Sequence, residues 1–260
     1  MYNFDVERPN SLAEAVAAAK AGAQPLSGGQ TLIPVLKQRL ADPGRLVMLS
    51  GLDELRGISA KGGVLTIGAA TCHADVAADG SYPALSALAG DIGDAAVRNR
   101  GTIGGSLANN DPSADYPAAV LASGATVVTD AREIKADDFF TGMFETALDE
   151  GEIITEVRFP IPEAAGWAKF DQPASRFALV GVFVAKGGDG VRVAVTGASE
   201  GGVFRWAEAE AALGGDFSPG ALEGMAPDAA GMIDDLHGSA AYRAHLVGVM
   251  ARRAVAAATG

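Results

Sequence analysis

Two segments with paired glycines constrain this chain more than any other feature. They are PLSGGQTLIP, from Pro25 to Pro34, and RNRGTIGGSLANNDPSADYP, from Arg98 to Pro117. Each pair stands where strand-like apolar sequence gives way to helix-like sequence. Gly28 and Gly29 in the first segment, and Gly104 and Gly105 in the second, permit φ > 0 and remove Cβ atoms that would block a phosphate. A helix starting behind such a turn adds about half a positive charge at its N-terminus. Thr31, Thr102 and Ser106 offer hydroxyls. Neither segment is a Walker motif, because no Gly–Lys–Ser/Thr follows, and neither is the dinucleotide fingerprint GxGxxG. One such turn in a chain with 34 glycines is better explained by ordinary chain reversal. Two of them point to a ligand that carries a diphosphate.

The formal net charge of −12 argues against nucleic acid or an anionic membrane as the main partner. It also means that local dipoles and backbone amides must hold an anionic ligand against an unfavourable overall field. The 48% hydrophobic content points to a compact fold. No apolar run reaches the ~18 residues of a membrane span, and MYNFDVERPN lacks a signal-peptide pattern, so a cytoplasmic protein is expected. The single cysteine, Cys72, excludes an internal disulfide and a cysteine-ligated zinc or iron–sulfur site within the chain.

Along the chain, a strand at Tyr2–Val6 precedes a helix ending near Lys20, with Ser11 and Glu14 at capping-box spacing and Gly22 fitting a C-terminal cap. A short strand ends at Leu26, and a helix spans Leu32–Leu40 with Pro34 in its first turn. Strands are predicted at Arg45–Leu49 and Val64–Ala70, helices at Tyr82–Ile92 and Tyr116–Ala122, and extended segments at Thr126–Thr129 and Ile153–Phe159. Phe159–Pro–Ile–Pro162 marks a boundary, since alternating prolines interrupt helix and sheet. Beyond it, Phe177–Ala185 and Val191–Thr196 flank GGDG, a hairpin signal, and helices follow at Arg205–Leu213 and Ala240–Ala257. The pattern is α+β in two parts, 1–162 and 163–260.

Single side chains are less informative. Asp115 is either a helix cap or an acceptor for a ribose or other polyol. Lys169 is either solvated or within reach of a ligand between the two parts. His73 and Asp75 in TCHAD fit polar positioning at a helix start better than metal or acid–base work, because His237 and His245 lie in a different part and no HExxH appears. Arg98 and Arg100 flank the second turn and are either solvated or turned to phosphate. No Ser–His–Asp or Cys–His set emerges, so no residue is assigned as catalytic and none as a metal ligand.

Taken together, these motifs resemble the medium, FAD-binding subunit of molybdenum hydroxylases, the family of the carbon monoxide dehydrogenase medium subunit and the flavin domain of xanthine dehydrogenase. The resemblance runs through nearly the whole chain: FDVERPNSLAEAV, SGGQTLIPVLKQRL, LSGLDELRGI, IGAATCH, RNRGTIGGSLANNDPSADYPAAVLA, DFFTG, EIITEVRFP, KF, FALVGV and GSAAYRAHL. It implies a vanillyl-alcohol-oxidase (PCMH-type) FAD-binding domain at 1–162, with subdomains at about 1–55 and 56–162, followed by a C-terminal α+β domain at 163–260. It also implies FAD contacts from Ser27, Gly28, Gly29, Gln30, Thr31 and Leu32 in the first turn. Thr102, Ile103, Gly104, Gly105 and Ser106 follow in the second, then Asp115, Ile154 (through its main chain) and Lys169. Ser106 departs from the asparagine that many relatives carry there, and Cys72 has no assigned role.

The same resemblance implies an electron-transfer subunit of an oxidoreductase. Iron–sulfur clusters on a small partner would deliver electrons to FAD, a large partner would hold molybdopterin, and the assembly would be a dimer of heterotrimers. Two other readings share the fold: a self-contained flavin oxidoreductase, and a non-redox nucleotide-binding assembly module. The substrate and the final acceptor, NAD, quinone or oxygen, are not written in the chain.

Overall fold

A computed structural model of the chain describes residues 1–260. The N-terminal unit alternates strand and helix: β1 (Asp5–Glu7), α1 (Leu12–Lys20), β2 (Gln24–Leu26), α2 (Leu32–Lys37) and β3 (Arg45–Met48). Ser11 caps α1 by accepting from the Glu14 amide, while Glu14 reaches back to the Asn10 amide at 2.8 Å. That is a capping box displaced by one residue. Ala23 N–H closes onto Ala18 O past Gly22 (φ +89). The helix α2 stops at Lys37, short of the predicted Leu40, because Arg39 turns left-handed (φ 60) and Leu40 N–H caps Val35 O. The three strands pair in parallel in the order β1-β3-β2, as two helical crossovers require.

The second unit is a five-stranded antiparallel sheet, ordered β4-β5-β10-β6-β7, with its helices inserted between strands. In chain order these are β4 (Ile58–Lys61), β5 (Val64–Gly68), α3 (His73–Ala78), α4 (Pro83–Gly90), α5 (Ala95–Arg98), α6 (Ile103–Asn109), α7 (Tyr116–Ala122), β6 (Thr126–Thr129), β7 (Glu133–Lys135), α8 (Ala136–Phe139), the small hairpin β8 (Phe140–Gly142) and β9 (Glu145–Thr146), and β10 (Ile154–Pro160). The third unit is a four-stranded antiparallel sheet of β11 (Ala164–Asp171), β12 (Ala178–Gly187), β13 (Gly190–Thr196) and β14 (Phe204–Arg205), followed by α9 (Ala207–Gly215) and α10 (Ala240–Thr259). Gly187 pairs with Gly190, so Gly188–Asp189 forms the hairpin turn that GGDG predicts. The helix α10 lies tight against β11: a Cβ at Gly166 would come within 1.9 Å of Ala254 O.

The alternating prolines at 160–162 end a strand without ending the core. Tyr82 meets Phe159 edge-on on one side and Phe183 on the other, with ring centroids 6.4 and 6.0 Å apart, and Trp167 belongs to the same buried cluster. The third unit is therefore welded to the second through aromatic packing, each such pair adding ~0.5–1.5 kcal/mol beyond area burial.

A buried arginine fixes the far side of the third unit. Arg243 in α10 donates to Leu179 O (2.9 Å) and Gly197 O (2.8 Å), and to Asp235 Oδ1 (2.8 Å). Replacing it by methionine would leave two buried carbonyls without a donor. Arg243→Met should lower the unfolding free energy by about 3 kcal/mol, read by urea denaturation; a loss under ~1 kcal/mol would show that the network is redundant.

Candidate functional site

The two glycine turns lie against each other. A Cβ at Gly28 would come 2.2 Å from Arg100 O and 2.7 Å from Gly101 Cα, so the first turn passes flush over the backbone of the second. Ser27 Oγ and Thr102 Oγ1 hydrogen-bond across the seam at 2.9 Å. Gly104 clears Ala69, whose Cβ would lie 2.6 Å away, and Gly29 supplies a left-handed φ of +71. Only Gly105 presents its bare face to the seam, where a Cβ would sit 2.9 Å from Thr102 Oγ1 and 3.9 Å from Ser27 Cβ. This differs from the expectation that all four glycines make room for a phosphate. Gly28 and Gly104 make room for neighbouring chain.

The donors divide just as unevenly. The amides of Gly28, Gly29, Gln30 and Thr31 donate to no protein acceptor. In the second turn, Ile103 N–H is taken by Thr71 O, Gly104 N–H by Ala69 O, and Gly105 N–H by the side chain of Thr102, the N-cap of α6. The paired glycines there lie within the first turn of a helix that the sequence reading did not place. Main-chain capacity for an anion therefore resides in the first turn, and the second adds the Ser106 hydroxyl.

Both turns open onto one cavity of about 780 Å3, well within the size of small-molecule sites. Ser27 to Leu32, Thr102, Gly104, Gly105, Ser106, Asp115 and Ile154 all line it. Ile103 does not; its side chain is fully buried inside α6. Lys169 does not either. It is neither solvated nor at the wall, but 5% exposed and paired with Asp115 Oδ2 at 2.9 Å. Asp115 occupies the N-cap position of α7 without making a capping bond. Burial pushes its carboxyl up to about 7, with Lys169 offsetting part of the rise, and its Oδ1 has no partner.

His73, which TCHAD singled out for polar positioning, stands at the wall with its Nδ1 unpartnered. Burial, aided by Arg98, holds its imidazole neutral, with its pKa down at about 4. Ser175, Arg176 and Phe177 reach the cavity from the turn between β11 and β12. Nothing in PASRF resembles a ligand motif; the register of two strands brings it there. Arg98 donates to Ile92 O and Gly93 O, both at 3.1 Å, and so braces the wall. Arg100 faces a separate 60 Å3 cleft beside Arg56 and Cys72.

The lining includes the acidic residues Asp111, Asp115, Asp149, Glu150 and Glu152, and the one basic residue Arg176. Side-chain charge therefore opposes an anion here, which leaves attraction to the free amides of the first turn. Glu152 is neutralised locally: Arg132 meets it at 3.0 and 2.9 Å, and Thr129 Oγ1 and the Asp149 amide donate to it. The bonds from Arg132, foremost, hold the Glu152 carboxyl down at about 2. This clasp fixes the 149–154 wall.

Residues 2–162 match the family model described as the FAD binding domain in molybdopterin dehydrogenase. The chain belongs to that family. The carbon monoxide dehydrogenase medium chain of Afipia carboxidovorans is 36% identical over 97% of this chain and 96% of that one. The nicotine 6-hydroxylase medium subunit of Paenarthrobacter nicotinovorans is 34% identical over 88% of this chain and 87% of that one. The reconstituted CO dehydrogenase from Oligotropha carboxidovorans contains a chain that superposes with a TM-score of 0.89 at 32% identity, covering 99% of this chain and 98% of that one. The chain is thus an FAD-binding component of an oxidoreductase, and the architecture is the α+β one that the resemblance implies.

The cavity fits such a cofactor on its own geometry. A row of unpaired amides suits a diphosphate, the bare face of Gly105 suits close approach, and hydroxyls stand on both sides of the seam.

Gly105→Val should leave flavin content below about a tenth of wild type, by placing a branched side chain in the seam. Gly28→Ala should weaken FAD at least about tenfold by another route, prising the turns apart, and should lower Tm as well. Full flavin in Gly105→Val would remove the seam from the binding site. For Glu152, a depressed carboxyl stabilises the fold above its ordinary pKa and loses that contribution as pH falls toward about 2. The stability gap between wild type and Glu152→Gln should therefore be widest at neutral pH and close on acidification; a pH-independent gap would contradict the clasp.

Proposed function

We propose that this chain is the electron-transfer medium subunit of a molybdenum hydroxylase. In this reading it takes electrons from iron–sulfur clusters on a small partner and passes them to an external acceptor. A large partner holds molybdopterin, the assembly is a dimer of heterotrimers, and it works in the cytoplasm. FAD, when bound, supplies an exchange between one-electron donors and a two-electron acceptor. Support comes from the near full-length likeness to chains named as medium subunits and from a cavity that both glycine turns share. No helix is long and apolar enough to cross a membrane.

The residues of the chain divide the work of holding the cofactor. Gly28 to Thr31 present amides to the diphosphate, Ser27, Thr102 and Ser106 present hydroxyls, and Leu32 and Gln30 close the first turn. Asp115 accepts from a polyol hydroxyl, and Ile154 belongs to the wall held by the Glu152 clasp. Residues 1–162 carry the turns, and 163–260 complete one flank of the cavity. The observation that carries this reading is the row of four unpaired amides in an otherwise acidic cavity.

Purified with its partner subunits, the protein should contain about one FAD per chain, and that FAD should be reduced when substrate is supplied to the assembly. An assembly that turns over with no flavin bound would refute the proposal. Steady oxidation of an organic substrate by the isolated chain would assign it instead to the self-contained flavin oxidoreductases.

A further inference from the structure

Three protein oxygens surround the Lys169 ammonium: Asp115 Oδ2 at 2.9 Å, Asp91 O at 2.8 Å and Arg176 O at 3.1 Å. An ammonium has three N–H donors, so none remains for a ligand. The side chain is buried and adds nothing to the cavity surface, yet its partners stand on or beside that surface. Asp115 lines the cavity. Asp91 directly precedes Ile92 and Gly93, which line it too. Arg176 lines it from the β11–β12 turn. These three segments come from the end of α4, the start of α7 and a hairpin of the third unit. Trp167, two residues earlier on β11, reinforces the first tie by donating to Asp91 Oδ2 at 3.1 Å.

The tie also places a charge. Arg176 is the one basic residue of the lining and adopts a left-handed backbone (φ 61), an uncommon conformation for a non-glycine residue. Its amide is bonded to Gln172 O and its carbonyl to Lys169.

We infer that Lys169 is a positioning residue, which ties three walls of the cavity together without touching FAD and fixes Arg176 at the third of them. This rests on the cavity being the FAD site. It sets aside the direct FAD contact that sequence resemblance implies for Lys169. A direct ligand would present a free donor to the cavity; here the donors face inward to protein oxygens.

Amide hydrogen exchange of the full-length apoprotein separates the two roles, because it needs no cofactor. In Lys169→Met, exchange should quicken at least about tenfold around 91–93 and 175–177 together, while β1, β2 and β3 keep wild-type rates. FAD should dissociate at least about tenfold faster from the variant, with a changed visible circular dichroism of the bound flavin. Exchange that matches wild type while FAD affinity falls would establish direct contact and overturn the inference. If Lys169→Met does not accumulate as folded protein, Asp115→Asn carries the test. It loosens one leg of the tie, and quickened exchange at 175–177, remote in sequence from the substitution, supports the positioning role; wild-type exchange there overturns it. Failure of wild-type apoprotein to bind FAD, with quickened exchange in the variants, would instead remove the site assignment and leave the tie standing.

Discussion

The contact on which everything else depends is between two stretches of backbone, with hardly a side chain involved. Gly28 passes so close to Arg100 O and Gly101 Cα that no other residue fits, and one hydroxyl pair, Ser27 with Thr102, pins the crossing. This contact joins the small parallel sheet to the five-stranded sheet. The first turn's amides meet no protein acceptor, whereas Ile103 and Gly104 of the second donate to Thr71 O and Ala69 O. Buried or half-buried N–H groups are nearly always paired in folded proteins. The half-buried amides of Gly28 and Gly29 depart from that rule, while those of Gln30 and Thr31 stand exposed beside them.

Electrostatics makes those amides decisive. The molecule is acidic overall and its cavity wall is acidic as well, so no pool of lysines or arginines stands there for an anion. An anion held there would rely on dipoles at contact distance, which fall off steeply and demand close approach. The short lengths of α2 and α6 limit what helix dipoles can add. Shape and charge thus point to the same requirement: a bare backbone at Gly105 and a rigid seam.

Much of this was legible in the sequence. The glycine pairs located the cavity, the helix caps at Ser11 and Gly22 set α1, and GGDG set the β12–β13 hairpin. What escaped has identifiable physical causes. The helix α6 begins inside TIGGSL, where two glycines weigh against helix by propensity and the Thr102 cap and tertiary packing override them. The end of α2 fell short because a non-glycine residue, Arg39, took the left-handed position. Strand β11 follows the prolines closely and has no turn residues to announce it. The role of Lys169 was out of reach for a different reason. Its three acceptors belong to segments separated by tens of residues, and two of them are carbonyls, which every residue type supplies alike.

The hairpin end at 175–177 lies beyond the stretch that the family model matches, yet it forms part of the chamber wall. The end of the matched stretch therefore does not coincide with the edge of the cavity. Exchanging residues 163–260 between relatives would not be a neutral graft: it would change the charge and the solvent access along one side of that chamber.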